Sequence, residues 1–391
     1  MRGNHPDRNA LGKGKKFLFA GISLLAFVLL LEVGLRLTDA GSPPIVGRLR
    51  FGYDTGIPVF DSDGIETEGQ PFADYPLFAA DPLLFWKPIA NTDFTGADGL
   101  RLPLPAHRAK PNGVYRIAVI GDSCSFLGQE LYPEKLARLL ESDIPQRVEV
   151  VNASCPGYTT FQGLRRLEDV WKWQPDLLLV YFGWNDHWNS LNGCTDSQLA
   201  SRPLITGPVR QFRHWHTYWF LSRLIPPAHS SRRVDSARTL RVPPNEYREN
   251  LCRIIAEADL HQCRTVLLTA PTAFQQQRLP AWVYPFFHEN YEMTSAEIAA
   301  IPRTHEQYNQ IVRQVAEQQS KMVVDVAARW KPEENAFRFR SDCIHLTDQG
   351  HAEIAQAVYD ECKRGWKTGQ DSLPSGARRA IGIGVPYARR P

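Results

Sequence analysis

The chain reads RIAVIGDS over 116–123, a short β-branched run that leads directly into a polar turn. A segment with helical spacing follows at 133–141 (PEKLARLLE), then a second strand-like run at 148–151 and an amphipathic helical pattern at 161–173. The continuous apolar run LLLVYF at 177–182 is typical of a strand that is buried on both faces. Strands that alternate with helices in this way predict a parallel sheet covered by helices on both faces.

The alternation is interrupted over 188–243, a stretch rich in Trp, His, Arg and Pro. It is too long for an ordinary connection, and we expect an insertion or lid here. The alternation then resumes with helical and strand-like segments at 245–260, 265–269, 304–319, 322–326 and 348–362. The predicted fold class is therefore α/β, a three-layer α/β/α sandwich around a central parallel sheet.

The N-terminal segment differs from the rest of the chain in its long apolar run. A helix over 17–37 is about 31 Å long, which matches the roughly 30 Å hydrocarbon core of a membrane. Basic residues precede this run at positions 2, 8, 13, 15 and 16, against one acidic residue, Asp7. The positive-inside rule therefore predicts that residues 1–16 are cytoplasmic and that the main domain lies across the membrane. We expect an uncleaved single-pass anchor in the cytoplasmic (inner) membrane; the alternative is a signal peptide cleaved after Ala40.

The remaining segments are divided by composition. Residues 38–112 are rich in Gly, Pro and Asp and are interpreted as a linker followed by an extended lead-in. The main domain is predicted to span 113–366. The polar and basic segment 367–391 has little apolar content and is predicted to be a disordered tail.

Charge and cysteine content exclude some functions and leave one question open. A formal net charge of +3 over 391 residues, without a basic stripe, argues against nucleic-acid binding. The seven cysteines have no CxxC spacing, which argues against a zinc site. Cys194 and Cys343 fall in loops that are expected to end at the same sheet edge. In an exported protein they can form a disulfide or stay two separate thiols, and the sequence leaves both open.

Residues with catalytic chemistry gather where the predicted strands end. Ser123 follows the first strand, Gly157 the second and Asn185 the third, while Asp342 and His345 precede the last helix. In an open parallel sheet such positions meet at one edge. Ester cleavage needs a hydroxyl nucleophile, an imidazole base, a carboxylate that orients the imidazole, and hydrogen-bond donors for the oxyanion. Each residue alone is commonly structural, but their joint occurrence in this order indicates a catalytic site.

These blocks resemble the SGNH (GDSL-like) hydrolases, in which Ser, Gly, Asn and His lie in separate sequence blocks. GDS supplies Ser123, the second block Gly157, GxND Asn185, and DxxH Asp342 and His345, and the resemblance covers 115–363. It implies that Ser123 is the nucleophile, that His345 is general base and then general acid, and that Asp342 orients His345. It also implies an oxyanion hole made of the Ser123 and Gly157 N–H groups and the Asn185 side chain.

The same resemblance has implications for the fold and the cofactors. It implies a flavodoxin-like three-layer fold and a reaction that requires no metal or other cofactor. The sequences PGYTTFQG (156–163) and YFGWNDHW (181–188), together with the anchor, are similar to those of bacterial membrane-anchored members. His187 and His351 lie near the motifs without a carboxylate at the right spacing, and we interpret them as structural.

The function implied is that of a serine esterase whose catalytic domain lies on the outer side of the membrane. The expected partner is an ester-bearing substrate, with O-acetyl groups of an envelope or secreted glycan as one candidate and a lipid ester as another. An O-acyltransferase that passes the acyl group to a glycan hydroxyl uses the same triad. The alternative to an enzyme is a catalytically silent envelope scaffold or binding protein. The presence of all four sequence blocks argues against this alternative.

Overall fold

The computed structural model describes residues 13–38, 40, 59–60, 66–67 and 78–368, with gaps at 82, 93, 97, 191–192, 202–214, 225–238, 275–278, 280, 282, 292, 332–335 and 341. Within these residues the strands, β1 to β9, are Val59–Phe60, Glu66–Thr67, Phe78–Asp81, Phe85–Pro88, Val114–Gly121, Arg147–Asn152, Leu177–Tyr181, Arg264–Leu268 and Met322–Val324. The α-helices, α1 to α11, are Lys13–Thr38, Tyr132–Glu141, Thr160–Trp171, Asp196–Ala200, His216–Leu224, Pro244–Leu260, Val283–Tyr291, Ser295–Ala299, Ile301–Gln318, Val326–Arg329 and Asp348–Thr368.

The central sheet has five parallel strands in the order β6-β5-β7-β8-β9. This confirms the predicted α/β class and the flavodoxin-like arrangement, in which the second strand of the sheet lies outside the first. The chain leaves β5 to one side for β6 and returns to the other side for β7. Loops that follow these three strands therefore diverge at one edge of the sheet, where open α/β proteins place their sites.

Two apolar layers cover the sheet because each central strand is apolar on both of its faces. In β5, Ile117 and Val119 enter one core cluster, while Ala118 and Ile120 enter the other. The residues of β7 alternate between the two clusters in the same way, and all five are buried. Successive side chains of a strand point to opposite faces, so an unbroken apolar run requires helices on both sides.

By its contacts the chain divides into two compact units. One comprises residues 1–44 and 202–231 and holds α1 and α5; the other comprises 45–201 and 232–391 and holds the sheet. Helix α1 is long and apolar enough to cross a membrane over Gly14–Thr38, as the predicted anchor at 17–37 requires. Near its carboxyl end, the buried Glu32 carboxylate accepts the N–H groups of His216 and Thr217 at 3.0 and 2.9 Å.

Some elements differ from the sequence prediction. The lead-in contains the antiparallel hairpin β3–β4, whose short apolar runs show no periodicity long enough to predict it. The predicted insertion contains the helices Asp196–Ala200 and His216–Leu224, and its segments 202–214 and 225–238 lie outside the described residues. Helix α11 continues to Thr368, and the rest of the predicted tail also lies outside them. The domain boundaries at 113 and 366 stay predictions.

Candidate active site

Ser123 lies in a tight turn at the carboxyl end of β5. The strand ends at Gly121, and a single turn of 3-10 helix, Ser123–Ser125, follows. A Cβ atom on Gly121 would lie 2.6 Å from the Ser125 hydroxyl and 2.9 Å from the Tyr181 carbonyl oxygen. Because both neighbours are buried in the core, the turn requires glycine at this position. Ser123 is 9% exposed, so its hydroxyl is at the sheet edge and not in bulk water.

A chain of hydrogen bonds joins the predicted nucleophile, base and carboxylate. The Ser123 hydroxyl oxygen lies 2.8 Å from Nε2 of His345. Nδ1 of the same imidazole lies 2.6 Å from Oδ2 of Asp342. The other carboxylate oxygen, Oδ1, accepts the backbone N–H groups of Ile344 and His345 at 2.9 and 2.8 Å. These bonds fix the carboxylate, which in turn fixes the plane of the imidazole.

The protonation state of this chain follows from the surroundings of Asp342. Burial alone would raise the pKa of Asp342, but the nearby His345 imidazole and the hydrogen bonds to its side chain and backbone outweigh it and hold the pKa below its usual value. An ionised carboxylate can only accept, so Nδ1 of His345 carries the proton. In the neutral imidazole Nε2 is then the acceptor, to which the Ser123 hydroxyl can donate.

A second carboxylate, that of Asp122, has its pKa shifted in the opposite direction. It is fully buried beside Ser123 and caps the turn by accepting the N–H of Cys124 at 2.9 Å. Burial raises the pKa of Asp122 to about 6. Its Oδ2 atom has no hydrogen-bond partner among the described residues. Asp122 therefore shapes the loop through its bond to Cys124, while the lowered pKa of Asp342 favours the ionised form of that carboxylate.

The loop with Gly157 is hydrogen-bonded to the turn that holds Ser123. Asn152, the last residue of β6, donates its side-chain amide to the Ser125 carbonyl at 2.7 Å. Cys155 donates its N–H to the Gly121 carbonyl at 3.1 Å. Gly157 has a φ of 78°, a left-handed conformation that glycine adopts without a steric penalty.

Asn185, which follows β7, contacts the same loop. It is 3% exposed, and its Nδ2 atom donates to the Tyr158 carbonyl at 3.1 Å. The next residue, Asp186, accepts the backbone N–H of Thr160 at 2.8 Å, which joins the GxND block to the start of α3. Burial raises the pKa of Asp186 to about 7. One N–H of the Asn185 amide thus orients the side chain, and the other makes no hydrogen bond within the described part of the chain.

Two backbone donors of this group lack an acceptor. Within the described part of the chain, the N–H groups of Ser123 and Gly157 make no hydrogen bond to protein. A buried N–H group without a partner is uncommon in folded proteins. Donors of this kind are suited to an oxyanion that is present only during reaction.

The other two histidines near the motifs are buried in the interior. His187 pairs with His305 at 3.0 Å, and His305 lies 2.7 Å from the Ala270 carbonyl. His351 contacts the backbone N–H of Tyr132 and the Leu127 carbonyl, each at 3.3 Å. Burial lowers the pKa of His187 well below its usual value, that of His305 to about 4 and that of His351 to about 3. They are neutral at pH 7, which agrees with their structural interpretation.

The sequence argued against a zinc site and left the pairing of Cys194 and Cys343 open. Among the residues that the structure describes, no group of His, Cys, Asp and Glu side chains is arranged to hold a metal ion. Cys194 and Cys343 are not joined by a disulfide. Of the two arrangements that the sequence left open, the structure has the separate thiols.

Two residues that the sequence motifs did not indicate hold the Gly157 loop from outside. Arg241 donates from Nη1 to the Gly157 carbonyl at 2.8 Å and pairs with Asp196 at 3.0 Å. Trp86, in β4, donates its indole N–H to the Pro156 carbonyl at 3.1 Å. They lie 84 and 70 residues from their partners in the chain, and no local pattern marks them.

Comparison with known protein families shows to which family the chain belongs. The model of the GDSL-like lipase/acylhydrolase family matches residues 119–353, more than half of the sequence. The chain belongs to this family. It is accordingly an ester-hydrolysing enzyme of the SGNH/GDSL superfamily, as the resemblance of its sequence blocks implied. A search of curated proteins finds no match.

Solved structures of GDSL-like and other hydrolases are similar to this chain at low identity. A lipase/acylhydrolase from Enterococcus faecalis is 17% identical, with 63% of this chain and 94% of that chain covered and a TM-score of 0.39. The acetylxylan esterase Axe2 of Geobacillus stearothermophilus is 18% identical, with 63% and 93% covered and a TM-score of 0.37. The α/β hydrolase LAE5 from the metagenome of Lake Arreo, Spain, is 20% identical, with 63% and 94% covered and a TM-score of 0.40. The family assignment rests on the sequence match.

Proposed function

We propose that this GDSL-like hydrolase is a serine esterase in which Ser123, His345 and Asp342 form the catalytic triad. The observation that supports this most directly is the hydrogen-bond chain from Ser123 Oγ to His345 Nε2, 2.8 Å, and from His345 Nδ1 to Asp342 Oδ2, 2.6 Å. Both distances are within the range of strong hydrogen bonds. The ionised Asp342 sets the imidazole tautomer that can accept the serine proton.

The reaction proceeds in two half-reactions. Ser123 Oγ attacks the ester carbonyl carbon while Nε2 of His345 takes the hydroxyl proton, and the carbonyl π electrons move onto the oxygen. The tetrahedral intermediate collapses, the alcohol leaves with the proton from His345, and an acyl-enzyme remains. Water then gives a proton to His345 and attacks the acyl carbon. Collapse returns the proton to Ser123 and releases the carboxylic acid, so the enzyme is regenerated.

The oxyanion of both intermediates is proposed to bind three donors. The N–H groups of Ser123 and Gly157 have no protein acceptor in the described part of the chain, and the Asn185 amide has one N–H that is not bonded to Tyr158. Such donors act mainly on the transition state, and each typically lowers the barrier by about 3–4 kcal/mol.

An ester-bearing substrate on the outer side of the membrane is proposed, and an O-acetylated envelope or secreted glycan is the first class to test. An esterase that is exported and anchored in the membrane lies in the same compartment as such polymers. Activity on aryl acetate, butyrate and longer aryl esters measures the preference for the acyl group. Activity on acetylated glycans tests whether a sugar alcohol serves as the leaving group. A glycan acceptor that becomes acylated, with little free acid released, would indicate an acyltransferase that uses the same acyl-enzyme.

We also propose that α1 is retained as a membrane anchor and is not removed as a signal peptide. Glu32 accepts hydrogen bonds from the backbone N–H groups of His216 and Thr217, and from the Thr217 hydroxyl at 2.9 Å. Removal of α1 would leave the first N–H groups of α5 without this acceptor. Both elements belong to the same compact unit, which favours a permanent association.

Ser123→Ala tests the triad. Activated-serine catalysis is lost as a unit, so we expect esterase activity to fall by several orders of magnitude while the melting temperature stays close to that of the wild type. A fluorophosphonate probe should label the wild type and not the variant. Ser142→Ala, on an exposed helix end, is the matched control and should keep both activity and labelling. If Ser123→Ala retains most of the activity, the nucleophile is another residue.

A further inference from the structure

Trp86 lies in β4, in the segment whose sequence indicated only a lead-in to the main domain. Its indole N–H donates to the carbonyl of Pro156 at 3.1 Å. Its own carbonyl accepts the hydroxyl of Tyr158 at 2.8 Å, and the two rings are 5.9 Å apart. Trp86 therefore contacts the residues on both sides of Gly157.

The contact at Pro156 restrains the peptide group that contains the Gly157 N–H. A trans peptide unit is planar, and its C=O and N–H point in opposite directions. Among the described residues, the single cis peptide is Leu102–Pro103, so the unit between Pro156 and Gly157 is trans. With the carbonyl held by the indole on one side, the N–H of Gly157 is directed to the other side.

This restraint matters because the Cys155 thiol, 3.7 Å from the same Pro156 carbonyl, is a weaker donor than the indole, and the glycine that follows permits the peptide unit to rotate. Gly157 has no side chain and a φ of 78°, and glycine is the residue with the greatest backbone freedom. The carbonyl of Gly157 itself is held by Arg241, whose guanidinium also lies over the Trp86 ring at 5.6 Å. The peptide units on either side of the Gly157 Cα are thus each fixed by a side chain from outside the loop.

We propose that Trp86 is a positioning residue that orients the Gly157 N–H toward the oxyanion, an inference that rests on the function proposed above. The indole does not touch the reacting atoms. It acts through the Pro156 carbonyl, and its hydrogen bond also polarises the peptide unit and makes the N–H a better donor. The expected consequence is stabilisation of the transition state with little effect on substrate binding.

Trp86→Phe is the test, because it removes the indole N–H and keeps an aromatic ring against Tyr158 and Arg241. In the full-length enzyme in detergent, with aryl acetate as substrate, we expect kcat per fluorophosphonate-titrated site to fall roughly tenfold. KM should change by less than about twofold, since uniform binding is retained. The affinity for an aryl boronic acid, which forms a tetrahedral adduct with the serine, should fall in parallel with kcat.

Two further variants separate positioning from general structural damage. Trp86→His keeps a ring N–H and should recover part of the lost kcat. Trp171→Phe removes an indole from the end of α3, where the ring stacks on His261 at 4.4 Å, and should leave kcat unchanged. In a plot of kcat against pH, the acid limb should be the same in all variants, because Trp86 does not contact His345 or Asp342.

Specific results would overturn the inference. A Trp86→Phe variant with kcat close to that of the wild type contradicts it, as does a rise in KM alone, which would place Trp86 in substrate binding. An equal loss in Trp86→Phe and Trp86→His that follows the melting temperature would indicate a purely structural role. Retained activity in Ser123→Ala would refute the triad itself. An inactive Ser123→Ala with a wild-type Trp86→Phe would refute the role of Trp86 alone.

Discussion

The Asn185 side chain has one amide N–H that orients it and a second N–H that we propose as an oxyanion donor. One N–H donates to the Tyr158 carbonyl at 3.1 Å, which fixes the amide plane, and the other N–H makes no hydrogen bond to the residues that the structure describes. The group is 3% exposed, so water competes little for that second N–H. A donor prepared in this way needs no reorganisation when negative charge develops on the substrate oxygen.

Replacement of Asn185 by Ala should therefore affect the transition state more than the ground state. We expect kcat for an aryl ester to fall by about 10²–10³ with little change in KM, as is typical for loss of one oxyanion donor. Steady-state kinetics measures both constants. Asn250→Ala removes another buried amide, one that donates to Thr160 Oγ1 at 3.2 Å, and should lower stability without this loss of kcat. A change confined to KM in Asn185→Ala would place the residue in substrate binding.

Among the structural elements, the sheet strands follow most closely from the sequence. The run at 177–182 is apolar at every position, and such a run is stable only when helices cover both faces of the strand. Because parallel strands end at a common edge, the positions of Ser123, Gly157 and Asn185 after three of them predict a common site. The hairpin β3–β4 has no such periodicity, since its strands Phe78–Asp81 and Phe85–Pro88 are only four residues long.

The packing of α3 on the sheet depends on Gly163. A Cβ at this position would lie 2.4 Å from Cζ of Phe182, whose ring is fully buried. Helix propensity alone predicts that Gly163→Ala stabilises by about 1 kcal/mol, whereas overpacking costs about 1–3 kcal/mol. We expect the cost of overpacking to exceed the gain in helix propensity. The melting temperature should then fall by roughly 2–4 °C per kcal/mol of net destabilisation. Gly163→Ala combined with Phe182→Leu should recover part of the loss; a stabilised single variant would contradict the tight packing.

In the whole molecule, contacts between distant segments are what the sequence could not predict. The motifs indicated the Ser123, Asp342 and His345 group because each block has a chemical signature at a strand end. Trp86 and Arg241 contact the Gly157 loop from segments with no motif, and only the folded chain brings them together. The same holds for Glu32, whose partners lie in a stretch that the sequence indicated only as an insertion or lid.

At the scale of the whole chain, the prediction concerns which side of the membrane each part of the protein lies on. Basic residues at 2, 8, 13, 15 and 16 precede the apolar run that begins at Phe17, so we expect the N-terminus in the cytoplasm and the catalytic unit outside. An alkaline phosphatase fused after residue 366 should be active, and a β-galactosidase fused at the same point inactive. Sequencing of the mature protein should find the original N-terminus, because Glu32 would otherwise be removed from His216 and Thr217. A mature chain that begins at Gly41 would instead show a cleaved signal peptide and a catalytic unit released from the membrane.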